Sequence, residues 1–191
     1  MMSQRQGLTD ETYRAVQADG TRATSVAQQG MDQEPLEVQV GKLLSAQNLT
    51  LAVAESCTGG LVGHRLTEVS GSSTYFLGGI IAYVNQAKEQ LLGVSHDTLC
   101  EHGAVSAETA LEMARGARRA LGADLGLSTT GIAGPTGATP DKPLGLVYIA
   151  LSTPGGEHCE RHVWGSDRSG NKALSAEEAL DMLRRYLEET A

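Results

Sequence analysis

Aromatic side chains are scarce in this chain, at 4% of 191 residues, with one tryptophan and one phenylalanine. Its core must therefore come from aliphatic residues, alanine and glycine. Cysteine is scarce too. Cys57, Cys100 and Cys159 are odd in number and have no metal-like spacing, which excludes a disulfide-stapled scaffold and suits a reducing compartment. No apolar run approaches the roughly 20 residues of a membrane helix, and the N-terminus lacks the apolar core of a signal peptide. A cytoplasmic location is expected. Basic charge is in deficit, with 15 Lys and Arg against 23 Asp and Glu, a net −8. That balance argues against a general nucleic-acid binder but leaves room for a local basic pocket holding one phosphate. Neither a nucleic acid nor a membrane is expected as a partner.

What is present reads as one ordinary domain with a tail to spare. Hydrophobic residues at 40% and charged residues at 20% can build and solvate a globular core. Residues 1–33 are polar and lack a sustained apolar period, so they read as a flexible N-terminal extension, with Met31 as an alternative first residue. Residues 34–191 read as the folded domain. Within it, helical spacing of Leu36, Val40, Leu43 and Leu44 predicts a helix over 35–47. Strands are predicted over 49–54, 76–84, 124–130, 144–152 and 158–164. Helices are predicted over 58–69, 85–92 (capped by Asn85), 96–102, 106–121 (capped by Ser106) and 175–189. Gly78-Gly79 inside the second strand suggests a bulge or a close backbone contact. Helices alternating with short apolar strands, then a hairpin, predict a three-layer α/β/α sandwich with a mixed, mostly parallel sheet of about five strands.

The chemistry concentrates where strands end. Ala54-Glu55-Ser56-Cys57-Thr58-Gly59-Gly60 runs from a buried strand into a helix. In an open α/β sheet, ligands sit at the carboxyl ends of strands, and a helix N-terminus there offers N–H groups to an anion or a developing oxyanion. Ser56 reads either as a nucleophile or as a helix cap. Cys57 beside it is a second candidate thiolate, ranked below Ser56 because no histidine stands nearby. Tyr83 and Lys88 flank Asn85, with Lys88 in the first turn of a helix, where the dipole disfavours a cation by about 0.3–1 kcal/mol. That field and partial burial lower a lysine pKa, and a neutral lysine can serve a serine as general base. The alternative is a surface lysine beside a half-buried tyrosine.

Further candidates are Ser128-Thr129-Thr130-Gly131-Ile132-Ala133-Gly134-Pro135, a glycine-rich loop able to cradle a base, ribose or phosphate, and Gly71-Ser72-Ser73, a small N–H-rich loop. Asp167-Arg168 is expected to open a loop in which Arg168 pairs with phosphate and Asp167 orients it, Lys172 being a poorer second because it lacks a bidentate fork. His64 and Arg65 read as surface or rim residues. His158, Glu160 and His162 share one strand face at period two, which reads as a solvated face rather than a metal site.

Together these strings, with His102-Gly103-Ala104-Val105-Ser106, resemble the CinA C-terminal domain, the nicotinamide-mononucleotide deamidase of bacteria, in order and spacing over about residues 36–189. The resemblance implies a three-layer α/β/α amidohydrolase that converts nicotinamide mononucleotide to nicotinic acid mononucleotide and ammonia, in pyridine nucleotide recycling. It implies catalytic roles at the positions of Ser56, Tyr83 and Lys88. Substrate contacts are then expected from Cys57, Thr58, Gly59, Gly71, Ser72, Ser73, Thr130, Gly131, Gly134 and Arg168. Some members carry an N-terminal molybdopterin-binding-like domain linked to competence, and this chain is expected to be the stand-alone form. No metal or organic cofactor is expected, since serine-type amidolysis needs none. The expected partners are a small nucleotide substrate and further copies of the chain in a homo-oligomer. Two departures stand out: Thr130 where the family often has Ser, and Ser169-Gly170-Asn171-Lys172 where it usually continues acidic then basic. The competing reading is a non-catalytic nucleotide-binding or regulatory domain linked to competence or the DNA-damage response.

Overall fold

A computed structural model describes residues 34–191. The extension expected over 1–33 lies outside the described residues. The elements run α1 (Leu36–Gln47), β1 (Leu51–Glu55), α2 (Leu61–Glu68), a 3-10 turn (Ser72–Thr74), β2 (Phe76–Ile81), α3 (Asn85–Leu92), α4 (His96–Glu101), α5 (Ala107–Leu121), β3 (Leu125–Gly131), β4 (Leu146–Ser152), β5 (Glu157–Val163) and α6 (Arg168–Glu189). The strands form one sheet in the order β2-β1-β3-β4-β5. β1 pairs parallel with β2 and β3, while β4 pairs antiparallel with β3 and β5. The result is a mixed α/β sheet, parallel where helices connect the strands and antiparallel at the hairpin.

Alternation along the strands sorts the two layers. Leu51 and Val53 of β1 join Leu125 and Leu127 of β3 under α1, α2 and α6. Ala52 and Ala54 face the other way, against Met113 and Ala117 of α5 and Leu92 of α3. With both faces covered, β1 is buried along its whole length. Small residues bring α5 close: a Cβ on Gly126 would lie 2.1 Å from the Ala114 carbonyl oxygen, and Ser128 Oγ donates to the Ala110 carbonyl at 2.6 Å.

Ser106 caps α5 as expected, its side chain accepting from the Thr109 N–H. Both readings of Gly78-Gly79 hold. The register of β2 against β1 slips at Leu77, immediately before the pair, and a Cβ on Gly79 would meet the Val53 side chain at 2.7 Å.

Three expectations need correction. Asn85 is the first helical residue of α3, not its cap; Val84 occupies the cap position and makes no side-chain bond there. The last helix begins at Arg168 rather than at 175, because Asp167 caps it by accepting from the Gly170 N–H. Ser169, Gly170 and Asn171 are weak helix formers and hid this turn. It is held by buried Asn171, which donates to the Ala133 carbonyl and accepts from the Ser166 N–H. Third, Glu160 and His162 are buried, not solvated, because side chains of α6, Arg185 among them, reach over that face of β5.

Candidate active site

β1, β2 and β3 end side by side, and the turns that follow them meet in a cleft of about 150 Å³. It is lined by Ser56 and Cys57 after β1, Tyr83 and Lys88 after β2, Thr130, Gly131 and Ala133 at the end of β3, Ala104 and Val105 before α5, and Arg168 at the start of α6. The carboxyl ends of the parallel strands thus hold the candidate site, as open α/β sheets generally do.

Ser56 is placed from both sides. Its N–H donates to the Thr129 carbonyl at 3.0 Å, extending the β1–β3 ladder by one residue. Glu55, 2% exposed, turns its carboxylate into the first turn of α2 and accepts from the N–H groups of Gly60, Val62 and Gly63 at 2.9, 3.2 and 2.8 Å. This overturns the expectation that the α2 N-terminus offers its donors to a ligand: a protein carboxylate already occupies them, satisfying the helix end and complementing its dipole. Glu55 stands in the motif, but no local pattern predicts this role for it.

Lys88 is 1% exposed, among the most deeply buried side chains of the molecule. Its Nζ lies 3.0 Å from Ser56 Oγ and donates to the carbonyls of Ala82 at 2.9 Å and Tyr83 at 3.4 Å. Burial pushes the amine below the ordinary lysine range. The two carbonyls can hold the N–H groups of a neutral amine while its lone pair faces Ser56. A buried amine so placed can take the hydroxyl proton and leave a nucleophilic oxygen.

Cys57 takes the opposite shift. Burial, the largest cause, pushes its thiol up to about 12, so it lines the cleft as a protonated thiol. Cys159 is likewise pushed up to about 12 by burial and lies elsewhere, against α5.

Tyr83 is 59% exposed, and its hydroxyl accepts from Arg168 Nη2 at 3.0 Å. Arg168 Nη1 donates to the Gly134 carbonyl at 2.7 Å. Gly134 therefore positions Arg168 instead of lining the cleft. Asp167 does not orient Arg168, since its carboxylate is engaged in capping α6. Thr130 lines the cleft while its hydroxyl donates to the Ala104 carbonyl at 2.6 Å, tying β3 to the turn before α5.

Other expected contacts lie away from the cleft. Thr58 is fully buried, its hydroxyl 2.7 Å from that of Thr129. Gly59 is exposed on the turn, in the left-handed region with φ 62°. Gly71, Ser72 and Ser73 precede β2 and so stand at the opposite end of the sheet, where the Leu51 N–H bonds the Tyr75 carbonyl. That is five residues of strand from Ser56, about 17 Å. Within one chain they do not line this cleft, because β1 and β2 are parallel and the turn entering β2 cannot reach the end of β1. Ala133 lies in the glycine-rich loop expected to cradle substrate; Ala104 and Val105 join the cleft because the turn before α5 folds in, which no local pattern in their motif predicts.

The remaining charged candidates are structural. Arg65 bonds Glu37 of α1 and Glu177 of α6, joining three helices. Glu160 receives both guanidinium arms of Arg185 and bonds from His158 and His162, and His162 stacks on Trp164 at 4.9 Å. Burial alone would raise the Glu160 carboxyl, but these bonds hold it well below the usual carboxylate range. Donor atoms of Glu160, His162 and Glu178 lie within 4.8 Å of one another, yet Arg185 already bonds both glutamates, so a cation would meet a guanidinium.

No helix among the described residues is long and apolar enough to cross a membrane. The chain is 53% identical over 152 residues to a CinA-like protein of Salinibacter ruber, and 51% identical over 156 residues to one of Citrifermentans bemidjiense. These alignments cover 80% and 82% of this chain but 37% and 38% of those proteins, so the chain spans less than two-fifths of the relatives it matches. Among solved structures, a CinA superfamily protein of Klebsiella pneumoniae superposes with a TM-score of 0.78 at 30% identity, covering 81% of this chain and 96% of that one. A competence/damage inducible protein of Agrobacterium tumefaciens gives 0.74 at 37%, covering 83% and 99%. The model of the CinA C-terminal domain matches residues 33–187. The order of strands, the cleft at their carboxyl ends and this match agree: the chain belongs to the CinA C-terminal domain family.

Proposed function

We propose that this chain hydrolyses the carboxamide of nicotinamide mononucleotide, with Ser56 as nucleophile and Lys88 as its base. The observation that carries the reading is the 3.0 Å contact between a buried lysine and a serine hydroxyl at the carboxyl end of β1. Ser56 Oγ attacks the carboxamide carbon as the Lys88 amine takes its proton. The tetrahedral intermediate collapses, the C–N bond breaks, and Lys88 returns the proton to the departing ammonia. Water, deprotonated by the same amine, then attacks the ester on Ser56. The C–O bond to serine breaks as Lys88 returns that proton to Ser56 Oγ, and the nucleotide leaves as a carboxylic acid that ionises to the carboxylate.

The cleft volume of about 150 Å³ is below the roughly 300 Å³ at which sites for whole small molecules begin. It suits the reacting end of the substrate, with the ribose phosphate lying across the mouth. There Arg168 and Tyr83 supply a guanidinium and a phenol to the phosphate and sugar. The turn at Gly71-Ser72-Ser73 serves that phosphate only if a second copy brings it to the cleft. The exposed Leu77, Ile81, Val84 and Leu91 on and beside β2 support such a homo-oligomer. The role in pyridine nucleotide recycling and a cytoplasmic location rest on the same reading.

The test is ammonia release from nicotinamide mononucleotide by the purified chain, followed with a coupled glutamate dehydrogenase assay. Stoichiometric ammonia and nicotinic acid mononucleotide support the proposal. Nucleotide binding without turnover would favour a regulatory domain instead.

A further inference from the structure

A second cavity, open to solvent, lies at the other end of the sheet, and the proposed deamidation does not use it. It measures about 450 Å³ and is lined by Arg115, Arg118 and Arg119 of α5, Gly122 and Ala123 after it, and Ser152 at the end of β4. Ser152 pairs with Gly126 at the start of β3, whereas the Ser56 cleft lies beyond the end of that strand. The two cavities are thus about a strand length apart, roughly 17 Å.

Spacing of i, i+3 and i+4 puts the three arginines on one face of α5. Two of them are anchored without being neutralised. Arg118 Nη1 donates to the Thr153 carbonyl at 2.9 Å, and Arg119 Nη2 to the Leu92 carbonyl at 3.1 Å. Neither forms an ion pair among the described residues. Two carboxylates stand near. Glu157 pairs with Arg115 at 2.6 Å, and Asp124 is held below the usual carboxylate range, chiefly by Thr50 and to a lesser degree by Arg118. Each guanidinium has five N–H donors, and one carbonyl uses one or two of them.

Arginines in the last turn of a helix are ordinarily explained by its dipole. That accounts for the charge but not for a cavity of this size around it, nor for guanidiniums fixed by backbone carbonyls in a chain of net charge −8. The volume falls within the range of small-molecule sites. Guanidinium forks match phosphoryl oxygens bidentately, and arginines held in advance lose little freedom on binding.

We propose that the Arg115–Arg118–Arg119 cavity is a second ligand site, separate from the Ser56 cleft, that binds a small molecule carrying two or more linked phosphoryl groups.

Inorganic tripolyphosphate is the probe. Titrated into the 15N-labelled chain, it should shift the amide resonances of Gly122, Ala123 and Ser152 saturably, with those of Ser56 and Gly131 unmoved. Arg118→Gln/Arg119→Gln should weaken binding at least tenfold, and Arg118→Lys/Arg119→Lys should weaken it less. Arg168→Ala should bind as the normal chain does, which separates this site from the proposed substrate phosphate contact. Inorganic phosphate should bind more weakly than tripolyphosphate. The proposal is overturned if tripolyphosphate moves no resonance at millimolar concentration. It is equally overturned if the shifts centre on the Ser56 cleft, or if the Gln double variant, shown folded by its amide spectrum, binds unchanged. Because the mapping is done on the normal chain, a variant that fails to fold leaves the test intact.

Discussion

Lys88 Nζ lies 3.0 Å from Ser56 Oγ, with the lysine 1% and the serine 7% exposed, so a hydroxyl and an amine face each other largely out of water. Their sequence separation of 32 residues is closed by the parallel pairing of β1 and β2, which ends with the Ala82 N–H on the Glu55 carbonyl.

Turnover should rise with pH through the Lys88 pKa, on a limb below the ordinary lysine value near 10.4. The same shift bears on stability. A lysine whose pKa is lower when folded binds fewer protons there than unfolded, so its penalty diminishes as pH rises through the folded value. Lys88→Met should abolish turnover and flatten both dependences. Lys88→Arg should also fail, because guanidinium does not deprotonate. A pH–kcat/KM profile with thermal melts in parallel reads both, and near-normal turnover in either variant would remove Lys88 from the mechanism.

Ser56→Ala should eliminate ammonia release while shifting the melting temperature little, since the backbone N–H of residue 56 still bonds Thr129. Cys57→Ala should keep most activity, its thiol being protonated at working pH. An active Ser56→Ala enzyme beside an inactive Cys57→Ala one would reverse that assignment.

Glu55→Ala should destabilise the fold by about 2–3 kcal/mol, because three N–H groups at the start of α2 lose a charged acceptor that water does not readily replace. Turnover should fall as well, since Glu55 anchors the turn bearing Ser56. Urea denaturation gives the first quantity and steady-state kinetics the second. A stability change under about 0.5 kcal/mol would show that the helix end is satisfied in another way.

Arg168→Ala should raise KM for nicotinamide mononucleotide about ten- to a hundredfold, the value of a charge-assisted bond to phosphate. Nicotinamide riboside, lacking the phosphate, should be a poor substrate for the normal chain and scarcely worse for the variant. Equal losses on both substrates would assign Arg168 to holding Tyr83 and Gly134 in place.

Tyr75 carries a buried hydroxyl with no partner among the described residues, packed against Gly41 of α1. Tyr75→Phe should leave the fold unchanged or stabilise it by about 1 kcal/mol, since removing an unsatisfied buried polar group recovers its desolvation cost. A loss of stability on denaturation would indicate a hydrogen bond to water in that space.

Local chemistry determined the element order, the capping of α5 by Ser106 and the irregularity beside Gly78-Gly79, while family resemblance grouped Ser56 with Lys88 and the pairing of β1 with β2 brought them together. The first three follow from periodicity, a cap residue and paired glycines, all features read within a dozen residues. Tertiary structure decided the rest. Glu55 took the donors of α2 because β1 points its last side chain into that helix. Glu160 and His162 were buried because Arg185 of α6 reaches over β5. The seven residues from Arg168 became helical through the Asp167 cap and the contact of Asn171 with Ala133, against their own weak propensity. Gly71-Ser72-Ser73 fell at the far end of the sheet because parallel strands place successive entry turns at the same edge. In each case the deciding partner is remote in sequence or supplied by the direction of a strand, which no local pattern of residues encodes.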